Sequence, residues 1–391
     1  MDYKLYNTIN EIQSIGKSKD EIRKELYALW QECFGDTQSY TDFYFKWKVK
    51  DNRILTIYKQ ERLSAMLHLN PYIIMVGGKP EPLNYIVGVA TRQQDRRQGL
   101  MKELLCASLC QMYDEHMPFT YLMPAAEAIY LPFGFRIVYE QDSWKQQMSR
   151  ESQINNKDES IHDTAAEEIN IDILESTDEK KLAELTDFTN LYLMENYDIY
   201  TVRSPYYYKR LIYEMESAKG RVLLCRRNEN IIGYVSFMTD GGLGIAECIY
   251  RPEEKEDFMK AVSGEILDTD LNMDIGHTNP TIMARIVDWR SFIKNITARE
   301  DITLNIKVED SIIKENNGVY QLQFTSLGCK VIKTDARPEL TADIADLTKL
   351  FLGRLSEGEL IHLIKQEDSK NIVNKIDKVN VYKELFINDV V

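Results

Sequence analysis

The sequence predicts a mixed α+β protein of three units, and three observations carry that reading. Residues 1–150 run through helical and strand periodicities in the order α-α-β-β-β-α-β-α-β. Residues 151–168 are polar and charged, the composition of a loose linker. Residues 281–391 carry short strands first and helices afterwards, the grouping of an α+β unit. A chain of 391 residues is also too long for one compact core.

In the first unit, residues 20–33 have helical spacing, with Ile22, Leu26, Leu29 and Trp30 on one side. A second short helix is expected over 40–47. Strands follow at 53–58, 62–75 and 83–91, with Lys59-Gln60-Glu61 and Gly77-Gly78-Lys79-Pro80 as the turns between them. A helix over 99–117 turns Leu100, Leu104, Ala107 and Leu109 to a core. A buried strand occupies 119–123, and another begins at 135–140 and continues toward Met148.

The middle unit, 169–280, shows helices at 180–194 and 205–216 and strands at 222–226, 231–239 and 245–250. A helix at 257–267 closes it. From 281 the pattern changes: a strand at 281–287, a helix at 289–295, then strands at 302–308, 318–324 and 330–334. Asn316-Asn317-Gly318 is a hairpin turn there. Residues 340–351 are amphipathic and read as a helix beginning near Thr341. Helices are expected again at 357–364 and 373–379.

The net charge of −14 argues against nucleic acid, which needs a basic surface, and mildly favours a cationic or amine substrate. The six cysteines form no C-x-x-C pair and have no histidine cluster beside them, so a reducing compartment without bound metal is expected. No apolar run approaches the ~20 residues of a membrane span, and no apolar signal core opens the chain. A cytoplasmic protein without membrane contact is the expectation.

Residues 87–135 carry the chemistry. A strand enters a basic loop, Arg96-Arg97-Gln98-Gly99-Leu100-Met101, which opens a helix. Free backbone N–H groups at a helix start, with two arginines beside them, suit a pyrophosphate. Gly99 removes a side chain where the backbone must approach phosphate. Beyond the next strand stands Tyr130, at the head of Tyr-Leu-Pro-Phe-Gly-Phe. A phenol with an ordinary pKa of ~10 keeps its proton at neutral pH.

That order of elements resembles the acetyl-CoA site of the GNAT N-acetyltransferases. The whole chain resembles the "enhanced intracellular survival" (Eis) group of that family. Besides the loop and Tyr130, the resemblance rests on RSPYYYKRL at 203–211 and on three C-terminal stretches, IMARIVDW, NNGVYQLQF and PELTADIADLTKLFLG. It implies a GNAT-fold domain at 1–150, a polar linker at 151–168, a second degenerate GNAT-like domain at 169–280, and a sterol-carrier-like domain at 281–391. It implies acetyl-CoA as co-substrate, no metal, and direct acetyl transfer to a primary amine. Aminoglycoside-like polyamines and the lysine ε-amine of a peptide are the two acceptor classes it offers.

Residue by residue, the resemblance places Val89, Ala90 and Thr91 along the pantetheine arm and the thioester carbonyl. Arg96, Arg97, Gln98, Gly99, Leu100, Met101 and Lys102 would hold the pyrophosphate. Ala125 and Ala126 lie at the pantetheine end. Tyr130 takes the role of general acid, and the α-carboxylate of Val391 that of general base, with Asp389 as a neighbouring carboxylate. Met101 departs from the small residue usual at its position. Pocket walls are expected from residues 40–47, 67–71 and the tail, and a homo-oligomer is implied. Two alternatives stay open: a catalytically inactive scaffold, and a lipid or small-ligand binder using the third domain.

Overall fold

The computed structural model describes residues 3–7, 9–13, 16–147, 169–267, 272–364 and 369–388. The 151–168 linker, Asp389 and Val391 lie outside these residues. The first unit runs β1 (Lys4–Tyr6), α1 (Ile9–Gln13), α2 (Lys19–Phe34), α3 (Gln38–Trp47), β2 (Arg53–Lys59), β3 (Arg62–Val76), β4 (Lys79–Thr91), α4 (Leu100–Asp114), β5 (Phe119–Leu122), α5 (Glu127–Tyr130) and β6 (Arg136–Gln147). The second runs β7 (Ile169–Ile173), α6 (Glu179–Asn196), β8 (Ile199–Thr201), α7 (Pro205–Ser217), β9 (Arg221–Arg227), β10 (Asn230–Met238), β11 (Gly244–Tyr250), α8 (Lys255–Leu267) and β12 (Asn272–Ile286). The third runs α9 (Trp289–Ile293), β13 (Ile302–Glu309), β14 (Gly318–Thr325), β15 (Gly328–Thr334), β16 (Leu340–Asp343), α10 (Ile344–Phe351), α11 (Glu357–Leu363), α12 (Ser369–Ile376) and β17 (Leu385–Phe386).

Local chemistry sets the helix starts that frame the site. Ser18 and Glu21 form a reciprocal capping box on α2, and the Thr37 hydroxyl accepts from the Tyr40 amide at the head of α3. Ser204 caps α7, with Pro205 in the first turn where its missing N–H costs nothing.

The first sheet is shared by all three units. Its order is β1-β2-β3-β4-β5-β12-β6. β3 takes β2 along its first half and β8 along its second, and β17 pairs in parallel with β8. Residues 281–287, expected to open the third unit, instead form the end of β12 and its exit, antiparallel between β5 and β6. Ile282, Met283, Ala284 and Ile286 are buried there, as a central strand requires. A buried run announces a strand but not the sheet that receives it.

The second unit has its own antiparallel sheet, β11-β10-β9-β7. Val222 and Leu224 of β9 pack with α6 and α7, while Leu223 and Cys225 pack on the other face with Phe258 and Val262 of α8. The third unit is the sheet β15-β14-β13-β16 with α9 to α12 around it. Its interior is continuous with the first sheet: Tyr85, Phe119 and Ile282 share one cluster with Trp289, Leu322 and Leu385. The helix expected over 340–351 is shorter than its pattern suggests. Leu340–Asp343 is a strand parallel to β13, and Asp343, not Thr341, caps α10 by accepting from the Asp346 amide at 2.8 Å.

Arg285 ties these parts together. Its guanidinium is buried, with Nε donating to the Phe133 carbonyl at 2.6 Å, Nη1 to the Ile286 carbonyl at 3.0 Å, and Nη2 to Asp310 at 2.7 Å. Phe133 belongs to the Tyr130 motif and Asp310 to the third unit. Removing one partner of a buried pair strands the other, so Arg285→Ala should cost about 3–5 kcal/mol of stability in a denaturant titration. A loss below about 1 kcal/mol would deny Arg285 that role.

Candidate active site

Two neighbouring parallel strands separate at the centre of the first sheet. β4 and β5 pair at Tyr85 and Tyr121 and at no other described position. Beyond Tyr85, β4 keeps β3 on one side through Thr91, while its other edge pairs with no described strand. Val89, Ala90 and Thr91 lie on this stretch. Met66 faces Ala90 and His68 faces Val87, so Gly88 and Val89 together oppose Leu67 and make a β-bulge. Gly88 sits at φ +61°, and a Cβ there would fall 2.8 Å from the Trp30 ring. The bulge resets the alternation. Ile86 and Val89 face one cluster, Val87 and Ala90 the opposite one.

The basic loop follows. Asp95 is buried and accepts from Lys59 at 3.0 Å and from Arg62 at 2.7 Å. Burial works against its charge, but bonds from Lys59, Ser64 and Arg62 outweigh that and hold the carboxyl below its ordinary value. Lys59 also donates to the Gln98 side chain at 2.8 Å, so the loop is braced from β2. Arg97 and Gly99 both have positive φ, 62° and 81°, and Gly99 is the N-cap of α4 without any side-chain cap. The first-turn amides at Leu100, Met101 and Lys102 are therefore left to an outside acceptor. Space is present, since a Cβ at Gly99 would meet nothing within 4 Å. Arg96 donates to the Thr91 carbonyl at 3.2 Å, whereas Arg97 and Lys102 are exposed and without an ion-pair partner among the described residues. Uncapped amides, a bare Cα and two uncommitted cations fit a pyrophosphate.

Tyr130 packs on the Ile86 and Val89 face of β4. It is buried in the same cluster as Leu100, Leu122 and Phe135, with Val89 and Met101 packed against that cluster. Its ring meets Phe135 edge-on at 6.0 Å. Its hydroxyl bonds to no described residue, and burial raises its pKa above the ordinary phenol value. Ala125 and Ala126 are exposed at the open end, beside the exposed Met123 and Ile129.

On the opposite face of β4 a cavity of about 520 Å³ opens between the first and second units. Trp30, Tyr40, Val87 and Gly88 line it from the first unit, and Tyr207, Arg210 and Glu214 from α7. The expected wall at 67–71 does not line it; Leu69 and Pro71 border a different depression. Below the bulge, His68 is fully buried, with Nδ1 3.1 Å from the Tyr44 hydroxyl. Burial pushes its pKa down to about 3. A depressed histidine contributes stability that is present above its unfolded value of ~6.5 and lost as pH falls toward the folded value. The melting temperature should therefore fall from pH 7 to pH 5, and His68→Gln should flatten that slope. Equal slopes in the two proteins would contradict this.

The tail also reaches the cavity. Asp198 accepts from the Lys383 and Glu384 amides at 2.8 and 3.1 Å, and β17 continues beside β8. Arg203 lies over the rings of Tyr207 and Phe386 and pairs with Glu247 at 2.5 Å, joining tail, α7 and β11. Asn388 is buried, donates to the Ala246 carbonyl at 2.7 Å, and lines the cavity.

Residues 14–138 match the acetyltransferase (GNAT) domain family. The chain carries a GNAT acetyltransferase domain, and through it the protein is an acyltransferase. Residues 288–383 match the sterol carrier protein domain family. GNAT domains use acetyl-CoA and act on amines. No curated protein sequence matches the chain. Among solved structures, a probable N-acyltransferase of Enterococcus faecalis is similar over all of both chains, with TM-score 0.77 and 19% identity. A GCN5-related N-acetyltransferase of Anabaena variabilis reaches 0.76 at 16%, and Eis1 of Mycobacterium abscessus 0.66 at 14%, each again over all of both chains. Those likenesses establish the GNAT domain's wider setting as a fold. No helix among the described residues is long and apolar enough to cross a membrane.

The structure thus brings Val89, Leu100, Met101 and Tyr130 of the GNAT domain together at one apolar cluster, with Gly99 next to Leu100 in the chain. Sequence reasoning missed Gly88, whose bulge joins the two faces, and it missed the α7 wall. RSPYYYKRL does hold that wall: Arg203 binds Glu247, Ser204 caps, Tyr207 and Arg210 face the cavity. Only a lone glycine inside an apolar strand hinted at the bulge.

Proposed function

We propose that this protein transfers an acetyl group from acetyl-CoA directly to a primary amine, with no covalent enzyme intermediate. The observation that supports it most is the open β4 edge with an uncapped helix start at one end and a cavity across Gly88. Acetyl-CoA supplies the acetyl thioester. The amides of Leu100, Met101 and Lys102, with Arg96, Arg97 and Gln98, hold the pyrophosphate where Gly99 lets it approach. Val89, Ala90 and Thr91 align the pantetheine arm and offer a backbone N–H to the thioester carbonyl. Ala125 and Ala126 leave its entry clear.

The acceptor amine occupies the cavity and gives up a proton before its nitrogen attacks. The Val391 α-carboxylate, ionised at neutral pH with an ordinary value of ~3.5, accepts that proton. Its support is the resemblance, together with Asn388 in the cavity wall, since three further residues extend at most about 10 Å. As the N–C bond forms and the C–S bond breaks, Tyr130 gives its phenolic proton to the leaving sulfur. The sterol-carrier domain serves to carry the tail. A metal-free cytoplasmic homo-oligomer completes the reading.

The test follows CoA release with monoamines, polyamines, aminoglycosides and lysine peptides. Amine-dependent release is expected. Release indifferent to every amine, or none at all, would overturn the proposal.

A further inference from the structure

The cavity's charges are largely spent on one another. Four carboxylates line it: Asp36, Glu214, Asp240 and Glu247. Glu214 is paired with the buried Lys48 at 3.1 Å, Glu247 with Arg203 at 2.5 Å, and Asp240 with Lys219 at 2.8 Å. Lys48 keeps its charge: burial works against it, but Glu214 beside it raises its pKa. Asp36 alone of the four has no cation partner among the described residues; it accepts from the Trp30 indole N–H at 2.8 Å. Arg210 adds a further positive charge to the wall, with Asp51 at 3.3 Å beside it.

The rest of the lining is mostly apolar, with aliphatic residues such as Val87, Leu211, Met215 and Met238 beside a group of aromatic rings. Trp30, Phe34, Tyr40, Tyr72 and Tyr207 all face the cavity. One acceptor atom there is also unclaimed. The Asn388 amide N–H is used on Ala246, while its carbonyl oxygen is buried and bonds to no described residue, in a side chain only 6% exposed. A buried acceptor without a partner costs about 1–3 kcal/mol, which a ligand N–H would recover. A single ammonium is thus served by one carboxylate, one carbonyl and aromatic faces. A polycation would meet Lys48 and Arg210 with no second unpaired carboxylate among the described lining residues, and the Val391 carboxylate, as the base, serves the same single nitrogen.

We propose that the acceptor is a primary monoamine with an aromatic body, of the 2-arylethylamine class, held by Asp36 and the Asn388 carbonyl, and that polyamines are disfavoured. This rests on the transfer reading but concerns binding in the cavity, so the two can fail separately.

The experiment measures binding of 2-phenylethylamine, spermidine and neamine to the full chain by calorimetry, and their acetylation in the presence of acetyl-CoA. Phenylethylamine should bind at least about tenfold more tightly than either polyamine, and Asp36→Asn should weaken it about tenfold. Where acetylation occurs, the variant should raise KM more than it lowers kcat. Equal or tighter binding of spermidine or neamine overturns the assignment, as does failure of phenylethylamine to bind. Preferential binding of phenylethylamine with no amine acetylated upholds it and removes the transfer reading instead.

Discussion

Tyr130→Phe should lower turnover by about 10²–10⁴-fold, the range of general acid catalysis, while acetyl-CoA binds as before. The substitution isolates one atom. The ring packs in the cluster of Leu100, Leu122 and Phe135, and phenylalanine keeps that packing. The hydroxyl bonds to no described residue, so its removal strands no partner among them, and the variant should melt with the wild type. What disappears is the proton for the leaving sulfur. Because burial raises the Tyr130 pKa above 10.0, the group stays protonated through neutral pH, and its alkaline loss of activity belongs above pH 10. Initial rates with saturating acetyl-CoA check this. Turnover within about twofold of wild type would exclude Tyr130 as the acid.

Extending the chain beyond Val391 by a Gly-Ser pair should have an effect of the same order, about 10²-fold or more, because it replaces the α-carboxylate by a peptide bond at that position. The described anchors of the tail all precede the change. Lys383 and Glu384 are fixed on Asp198, β17 on β8, and Asn388 on Ala246. The extended protein should therefore melt normally and bind acetyl-CoA normally. A C-terminal amide at Val391, which removes the charge and adds almost no bulk, should be equally inactive. Full activity in either protein would dismiss this carboxylate as the base.

These predictions draw on parts of the molecule that were unequally legible in the sequence. The loop and Tyr130 could be read because their chemistry is local: a glycine at a helix start and arginines beside it mean much the same in any fold. The cavity could not. Trp30, Gly88, Glu214 and Asn388 belong to four separated segments, and only the shared first sheet brings them to one wall. Arg285 shows the same limit, since a strand's buried pattern does not disclose that it crosses back between β5 and β6. Leu340–Asp343 was hidden for another reason. Four residues are too few for a period-two pattern to stand out against the helical one that continues through Phe351, and pairing with β13 decides the matter.

Direct transfer requires that acetyl-CoA and the amine be held at once on opposite faces of β4. Initial rates over a grid of acetyl-CoA and acceptor-amine concentrations test it most directly. Intersecting double-reciprocal lines are expected, because both substrates must be bound before any bond breaks. Parallel lines, the mark of an acetyl group parked on the enzyme, would contradict it.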